Sequence, residues 1–205
     1  KDKDKKNRLE ILTEKHILTI YDNISCYIVY DDLVINKYNN ELYDFYRDKN
    51  INIFGKGPTF KNIKCNENDI NVCVNSTINF VDECDIFTFN DMETLDQINF
   101  KKLNNVKYIF IPEYLHHKGK KNVKNIWFNV HLKIKDHFKG KYILFNLYDT
   151  PLKNHQILNI DSGYSSALTF SEYLIKYNYI YIKKINYYGI GISDRLYYNK
   201  IFKKN

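Results

Sequence analysis

Three features of the chain predict an α/β fold built on an open, mostly parallel sheet with helices on both faces. Short apolar runs recur at residues 51–54, 70–74, 86–89, 108–111 and 142–147, each bounded by polar connections. The runs are nearly continuous rather than alternating, which is the pattern of strands buried on both faces. From about residue 162 to 179 the period becomes helical, and the next apolar run, 184–188, ends in Gly189-Ile190-Gly191. Strand–helix–strand units in series assemble into a parallel sheet through right-handed crossovers.

The remaining elements follow in order. Residues 1–7 are a charged run, read as a solvated leader outside the fold. Residues 8–205 are read as one domain, a length that suffices for a single well-buried core. Residues 27–30, Tyr-Ile-Val-Tyr, predict a strand, and Leu42, Phe45 and Tyr46 stand at helical spacing within residues 40–47. In the later helix, Leu168, Tyr173, Leu174 and Tyr177 share one stripe, with Ala167 and Phe170 beside it. Ser162 stands where a hydroxyl caps the first turn.

Composition narrows the class. Apolar residues make up 44%, with 19 tyrosines and 13 phenylalanines, so the chain can fill a core. No apolar run approaches the roughly 20 residues of a membrane helix. The expectation is a soluble, cytoplasmic protein, with attachment to a membrane surface and self-association left open. A net charge of +7 attracts polyanions through its long-range field. The lysines are spread through the chain, however, apart from small clusters such as Lys118, Lys120, Lys121 and Lys124. No arginine-rich or aromatic–basic motif accompanies them, so a solvated surface is preferred to nucleic-acid binding. Cys26, Cys65, Cys73 and Cys84 form no Cys-x-x-Cys pair and have no His at finger spacing, which argues against structural zinc. Cys73 and Cys84 lie in apolar contexts and are expected as buried free thiols, with a disulfide between two of the four cysteines as the alternative.

The chain has only seven glycines, and their positions carry the functional expectation. Gly55-Lys56-Gly57-Pro58-Thr59, Asp161-Ser162-Gly163 and Gly189-Ile190-Gly191 each follow a predicted strand or open a helix. In an open α/β sheet, ligands bind outside the carboxyl ends of the strands, so these segments are candidates for one shared rim. Glycines let amide N–H groups approach a ligand, and a helix N-terminus favours a phosphate. Thr59 and Ser162 can add hydroxyls, and Lys56 a cation. The competing reading of Gly-x-Gly-Pro is a tight turn with close packing.

Four short motifs, Phe-Gly-Lys-Gly-Pro-Thr-Phe-Lys-Asn-Ile, Asn-Val-Cys-Val-Asn-Ser-Thr-Ile-Asn-Phe, Asp-Ser-Gly-Tyr-Ser-Ser-Ala and Ile-Asn-Tyr-Tyr-Gly-Ile-Gly, occur in the order and spacing of the bacterial sialyltransferase family 42. The chain resembles that family, and the related glycosyltransferase-like domains of motility-associated proteins, over about residues 50 to 195. The resemblance implies a Rossmann-like, GT-A-variant domain that takes a cytidine-monophosphate-linked sugar and transfers sialic acid to a glycan acceptor, without a metal or other cofactor. It implies that Gly55, Lys56, Gly57, Pro58 and Thr59, with Ser162 and Gly163, hold the nucleotide phosphate and ribose. Asn75 would contact the nucleotide sugar, and Gly189 and Gly191 close the rim. At the end of the third run, Asp91 would orient the sugar or, in a metal-using relative, bind a cation; the competing reading is an Asx turn that caps the helix starting near Met92.

The chain departs from the family at three motif positions. Lys56 stands where the family has Asn, Asp161 where it has Thr, and Gly191 where it has Asp. The family's catalytic His follows the last of these motifs, and this chain has no His after His155. His155 is therefore a weak replacement-base candidate, set against a plain loop residue. Tyr197 and Tyr198 stand where the family places substrate-contacting tyrosines. The adjacent His116 and His117 point different ways and are read as an exposed loop.

Overall fold

The computed structural model describes residues 26–28, 42–57, 60, 68–112, 126–147, 158–160, 165–175 and 181–190. These residues form one eight-stranded sheet in which every pairing is parallel. The strands are β1 (Cys26–Ile28), β2 (Lys49–Phe54), β3 (Ile70–Val74), β4 (Ile86–Thr88), β5 (Tyr108–Pro112), β6 (Lys141–Leu147), β7 (Leu158–Ile160) and β8 (Ile182–Tyr188). Among the described residues three α-helical segments accompany them: residues 42–46, α1 (Ile126–Ile134) and α2 (Ser166–Tyr173). The open parallel α/β sheet expected from the apolar runs is thus the fold observed, and it is Rossmann-like.

Strand order is β1-β6-β5-β4-β3-β2-β8, with β7 also pairing with β6. β2 to β6 therefore lie side by side in chain order, and β8 returns across the sheet to pair with β2. β1 pairs with Tyr142–Leu144 and β7 with Phe145–Leu147, so both short strands share one edge of β6. β2, β3, β4 and β5 are almost wholly buried from Ile51 to Pro112, which explains their continuous apolar runs.

Residues in register point to the same side of a sheet, which assigns the two faces. Tyr108, Phe110 and Phe145 point to the face that receives residues 42–46 and α2. Phe110 stacks on Phe145 at 4.3 Å and meets the rings of Phe170 at 5.1 Å and Tyr173 at 4.7 Å. Phe45 meets Tyr108 edge-on at 5.0 Å. Tyr142 points to the other face, where the His131 ring of α1 and Phe138 pack against it. Helices therefore cover both faces.

Two local expectations change. α2 begins at Ser166, with Ser165 at the N-cap position and no side-chain capping hydrogen bond. Ser162 lies outside the described residues. The buried stripe of α2 is Ala167, Phe170, Tyr173 and Leu174, whereas Leu168 is 51% exposed. The stripe is set by which side of the helix faces Phe110, and a count of apolar residues does not reveal that side. Cys73 and Cys84 are both buried and free, as expected. Burial raises the Cys73 thiol pKa well above its ordinary value, with a further contribution from Cys84, which makes it a poor nucleophile. Among the described residues no helix is long and apolar enough to cross a membrane.

A polar ladder crosses three strands on the α1 face. Asn186 Nδ2 donates to Asn52 Oδ1 at 2.9 Å, and Asn52 Nδ2 donates to Asn71 Oδ1 and Asp69 Oδ2, each at 3.1 Å. Asn50 Nδ2 also donates to Asp69 Oδ1 at 2.9 Å. Asn52 is fully buried, and Asn52, Asn71 and Asn186 are partners in register, so the ladder exists only when β8, β2 and β3 align correctly. Replacing Asn52 by Ala strands its partners and is expected to cost about 2 kcal/mol or more, read as a lower urea midpoint.

His131 gives a pH-dependent prediction. Burial, and then Lys135 and Lys139, lower its pKa below the ordinary histidine value. The folded state therefore prefers the neutral ring, so the contribution is present above about pH 6.5 and is lost as pH falls through the folded value. The urea midpoint is expected to drop over that window, and to drop less in His131→Gln.

Candidate functional site at the carboxyl ends of the strands

The two glycine loops meet. β2 ends in Gly55-Lys56-Gly57 and β8 in Gly189, and the strands run in register from Asn50 with Lys184 to Phe54 with Tyr188. Beyond that register, Gly55 N–H donates to Tyr188 O at 2.7 Å, and Gly57 N–H to Gly189 O at 2.6 Å. A Cβ on Gly55 would stand 2.6 Å from Gly189 O, and one on Gly57 2.8 Å from the same atom. Gly189 adopts φ +65°, and its Cβ would stand 2.1 Å from Gly55 O. What lies against the first loop is therefore the backbone of the second. The amides of Gly55 and Gly57 are spent on β8, so a ligand at this rim is met by side chains rather than by those two N–H groups.

Lys56 is the side chain this loop presents. It is half-buried, and burial lowers its pKa. Both flanking residues are bonded to β8, so its backbone is held from either side.

Next along the rim is Asn75, which follows β3 directly and has φ +54°. Positive φ is tolerated by Asn better than by most side chains. The short 3₁₀ helix Asn75–Asn79 is tied back to both strands, because Thr77 Oγ1 donates to Val74 O at 2.8 Å and lies 3.1 Å from Phe54 O. Asn75 Oδ1 accepts from Thr94 Oγ1 and from Ser166 Oγ, both at 3.5 Å. These long contacts join the ends of β3 and β4 to the first turn of α2 while holding the amide only loosely.

β4 contributes the most unusual atoms. Thr88 is fully buried and Asn90 is 5% exposed, yet Thr88 Oγ1 and Asn90 Oδ1 have no hydrogen-bond partner among the described residues. The orientation of the Asn90 amide follows from its neighbours. Thr169 Oγ1 donates to Ser165 O at 2.9 Å and therefore accepts from Asn90 Nδ2 at 3.5 Å. Unpaired buried polar atoms of this kind cost about 1–3 kcal/mol each, so each calls for an explanation.

Of the residues singled out from the sequence, the structure brings Gly55, Lys56, Gly57, Asn75 and Gly189 to one end of neighbouring strands. Asp91 follows β4 but is exposed, and its side chain does not cap the 3₁₀ helix Met92–Gln97. Pro58, Thr59, Ser162, Gly163, Gly191, His155, Asp161, the His116–His117 pair, Tyr197 and Tyr198 lie outside the described residues. Asn90, Thr88, Thr94 and Ser166 were not singled out. A signal for two of them exists: Ile86, Thr88 and Asn90 share one strand parity, so two polar residues fall on one face of a strand that is buried on both.

The opposite ends of the strands carry a cleft of about 500 Å³ lined by Asp44, Asp69, Glu83 and Asp85 with Lys49 and Lys107. Asp69 anchors the Asn ladder. Asp85 accepts from Asn71 N–H at 2.9 Å and pairs with Lys107 at 2.8 Å. These two carboxylates are accounted for by the fold, and among the described residues no group of three His, Cys, Asp or Glu side chains is placed to hold a metal ion.

No family model, curated protein or solved structure matches the chain. What the fold defines is its class, a Rossmann-like parallel α/β protein with a polar rim at the carboxyl ends of β2, β3, β4 and β8.

Two substitutions separate the structural glycines from the rim's polar atoms. Gly189→Ala combines positive φ with a backbone clash, and is expected to cost about 3 kcal/mol. That corresponds to a melting temperature lower by on the order of 10 °C. Asn75→Gly relieves the positive φ and is expected to keep the melting temperature within a few degrees, while removing an amide from the rim.

Proposed function

We propose that the protein is a sialyltransferase-like glycosyltransferase that uses a cytidine-monophosphate-linked sugar and a glycan acceptor. The observation that carries this reading is the polar cluster at the ends of β3 and β4. Asn75, Thr94 and Ser166 converge there, beside the buried and unpaired Asn90 Oδ1 and Thr88 Oγ1. An unpaired amide oxygen calls for a hydroxyl or amine donor, and the sugar and base of a nucleotide sugar offer several. The location supports the same reading, since open parallel sheets hold nucleotides outside the carboxyl ends of their strands. The four sequence motifs add the sugar and the reaction class. In such a transfer the donor's leaving phosphate is stabilised electrostatically while the acceptor hydroxyl gives up a proton.

A second reading, a nucleotide- or glycan-binding domain without transferase activity, draws on the positions of the two histidines that are among the described residues. His131 Nδ1 lies 3.2 Å from Tyr142 OH, near the start of β6, and His137 packs on Phe100, before β5. Both sit toward the amino ends of the strands, on the side away from the rim, so neither serves there as a base.

Release of cytidine monophosphate from its sialic-acid conjugate, with and without a glycan acceptor, tests the two readings. The expected result is acceptor-stimulated release, reduced at least tenfold in Asn90→Ala with the fold intact by circular dichroism. Binding without release would replace the first reading by the second. If no nucleotide, nucleotide sugar or glycan acceptor raises the melting temperature, both fail.

A further inference from the structure

Two thiols lie together behind the cleft at the amino ends of the strands. Cys73 is fully buried in β3, two residues beyond Asn71 on the same face of the strand. Cys84 precedes β4 and lines the cleft of about 500 Å³, between Glu83 and Asp85. Its side chain folds forward along the strand. Cys84 Sγ donates to Ile86 O at 3.2 Å, and Ile86 is in register with Val72, the residue before Cys73. The two side chains are hydrogen-bonded neighbours, and this bond comes second only to burial in raising the Cys73 pKa.

The pair is asymmetric, which gives each sulfur a different part. Burial keeps Cys73 in the unreactive thiol form, whereas the cleft opens onto Cys84. Disulfide geometry demands close approach of both Cys backbones. Residues 81–85 belong to no helix or strand, so Cys84 has the backbone freedom to close on Cys73, which β3 holds in place. Lys102, whose Nζ donates to Val81 O at 3.0 Å, opposes the rise in the Cys73 pKa. A neighbouring cation of this kind favours the thiolate that Cys73 must become in order to react.

We infer that Cys84 and Cys73 form a redox-active dithiol: Cys84 is modified from the cleft by a low-molecular-weight disulfide of the glutathione class, and Cys73 resolves the adduct into a Cys73–Cys84 bridge. The Cys84 thiolate attacks one sulfur of the small disulfide, breaks its S–S bond and releases one small thiolate. That thiolate takes the Cys73 proton, Cys73 Sγ attacks Cys84 Sγ, and the second small thiolate leaves. Two protein thiols and one small disulfide thus become one protein disulfide and two small thiols. The inference is independent of the proposed function, because the cleft lies at the end of the sheet away from the rim.

Exposure of the folded full chain to glutathione disulfide, followed by an alkylating quench and peptide mapping by mass spectrometry, provides the test. The expected product is lighter by two hydrogens, carries no glutathione, and joins the peptides that hold Cys73 and Cys84. Cys84→Ser is expected to slow oxidation of Cys73 about tenfold or more. Cys73→Ala, checked for its fold by circular dichroism, is expected to stop at a glutathione adduct on Cys84. Dithiothreitol is expected to return the unaltered chain to two free thiols. An adduct that persists on Cys84 of the unaltered chain, with Cys73 still free, overturns the bridge. A bridge from Cys84 to Cys26 or Cys65 instead, or oxidation of Cys73 at an unchanged rate in Cys84→Ser, overturns the pairing. Absence of reaction at Cys84 in the folded chain, when the urea-unfolded chain reacts, overturns the inference altogether.

Discussion

The contact between two glycine backbones, at the ends of β2 and β8, is the constraint on which the rim depends. Gly189 O accepts from Gly57 N–H at 2.6 Å and leaves no room for a Cβ on Gly55 or Gly57. This contact extends the β2–β8 pairing beyond the last strand residues, and so decides where Lys56 stands. Below it, the Asn186–Asn52–Asn71 ladder fixes the same three strands in register from inside the sheet. A slip by one residue would break the ladder and the bond from Gly55 N–H to Tyr188 O together, since both follow one register. Backbone packing and buried amide pairing thus act on the same alignment from two positions along the strands.

With that alignment set, the ends of the strands divide into two chemical halves. At the amino ends, Asp69 and Asp85 are taken up by Asn50, Asn52, Asn71 and Lys107, so charge there serves the fold. At the carboxyl ends the described polar groups are less completely paired. Asn75 is held only by contacts of 3.5 Å, and Asn90 Oδ1 and Thr88 Oγ1 have no partner among the described residues. Each unpaired buried group of this kind costs about 1–3 kcal/mol. Costs of this kind persist where binding offsets them.

The glycine loop shows how one motif can serve two roles. Glycines in such a loop suggest amides offered to a phosphate, yet here two of those amides bond to the neighbouring strand. With those amides taken up, Lys56 is the polar side chain that the clamped backbone presents between the two glycines. The same shift occurs after β4, where Asp91 is exposed and the preceding Asn90 is buried.

Several parts of this protein were legible in the amino-acid order. Continuous apolar runs at 51–54, 70–74 and 108–111 are strands because a strand covered on both faces has no polar side to show, and local composition records that directly. The collection of Gly55, Gly57, Asn75 and Gly189 at one end of the sheet follows from their positions after strands, since parallel strands end on the same side. Tertiary structure alone decided the partners. That β8 returns to β2, that α2 turns Ala167 and Phe170 inward while Leu168 faces out, and that Asn52 is satisfied by residues from two other strands are consequences of contacts between segments far apart in the chain. Strand parity places Asn90 on the same face as Ile86 and Thr88, but its unpaired oxygen depends on α2 placing Thr169 beside its nitrogen. Hydrogen-bond satisfaction is a property of all the neighbours together, and a residue's own sequence position carries information about only a few of them.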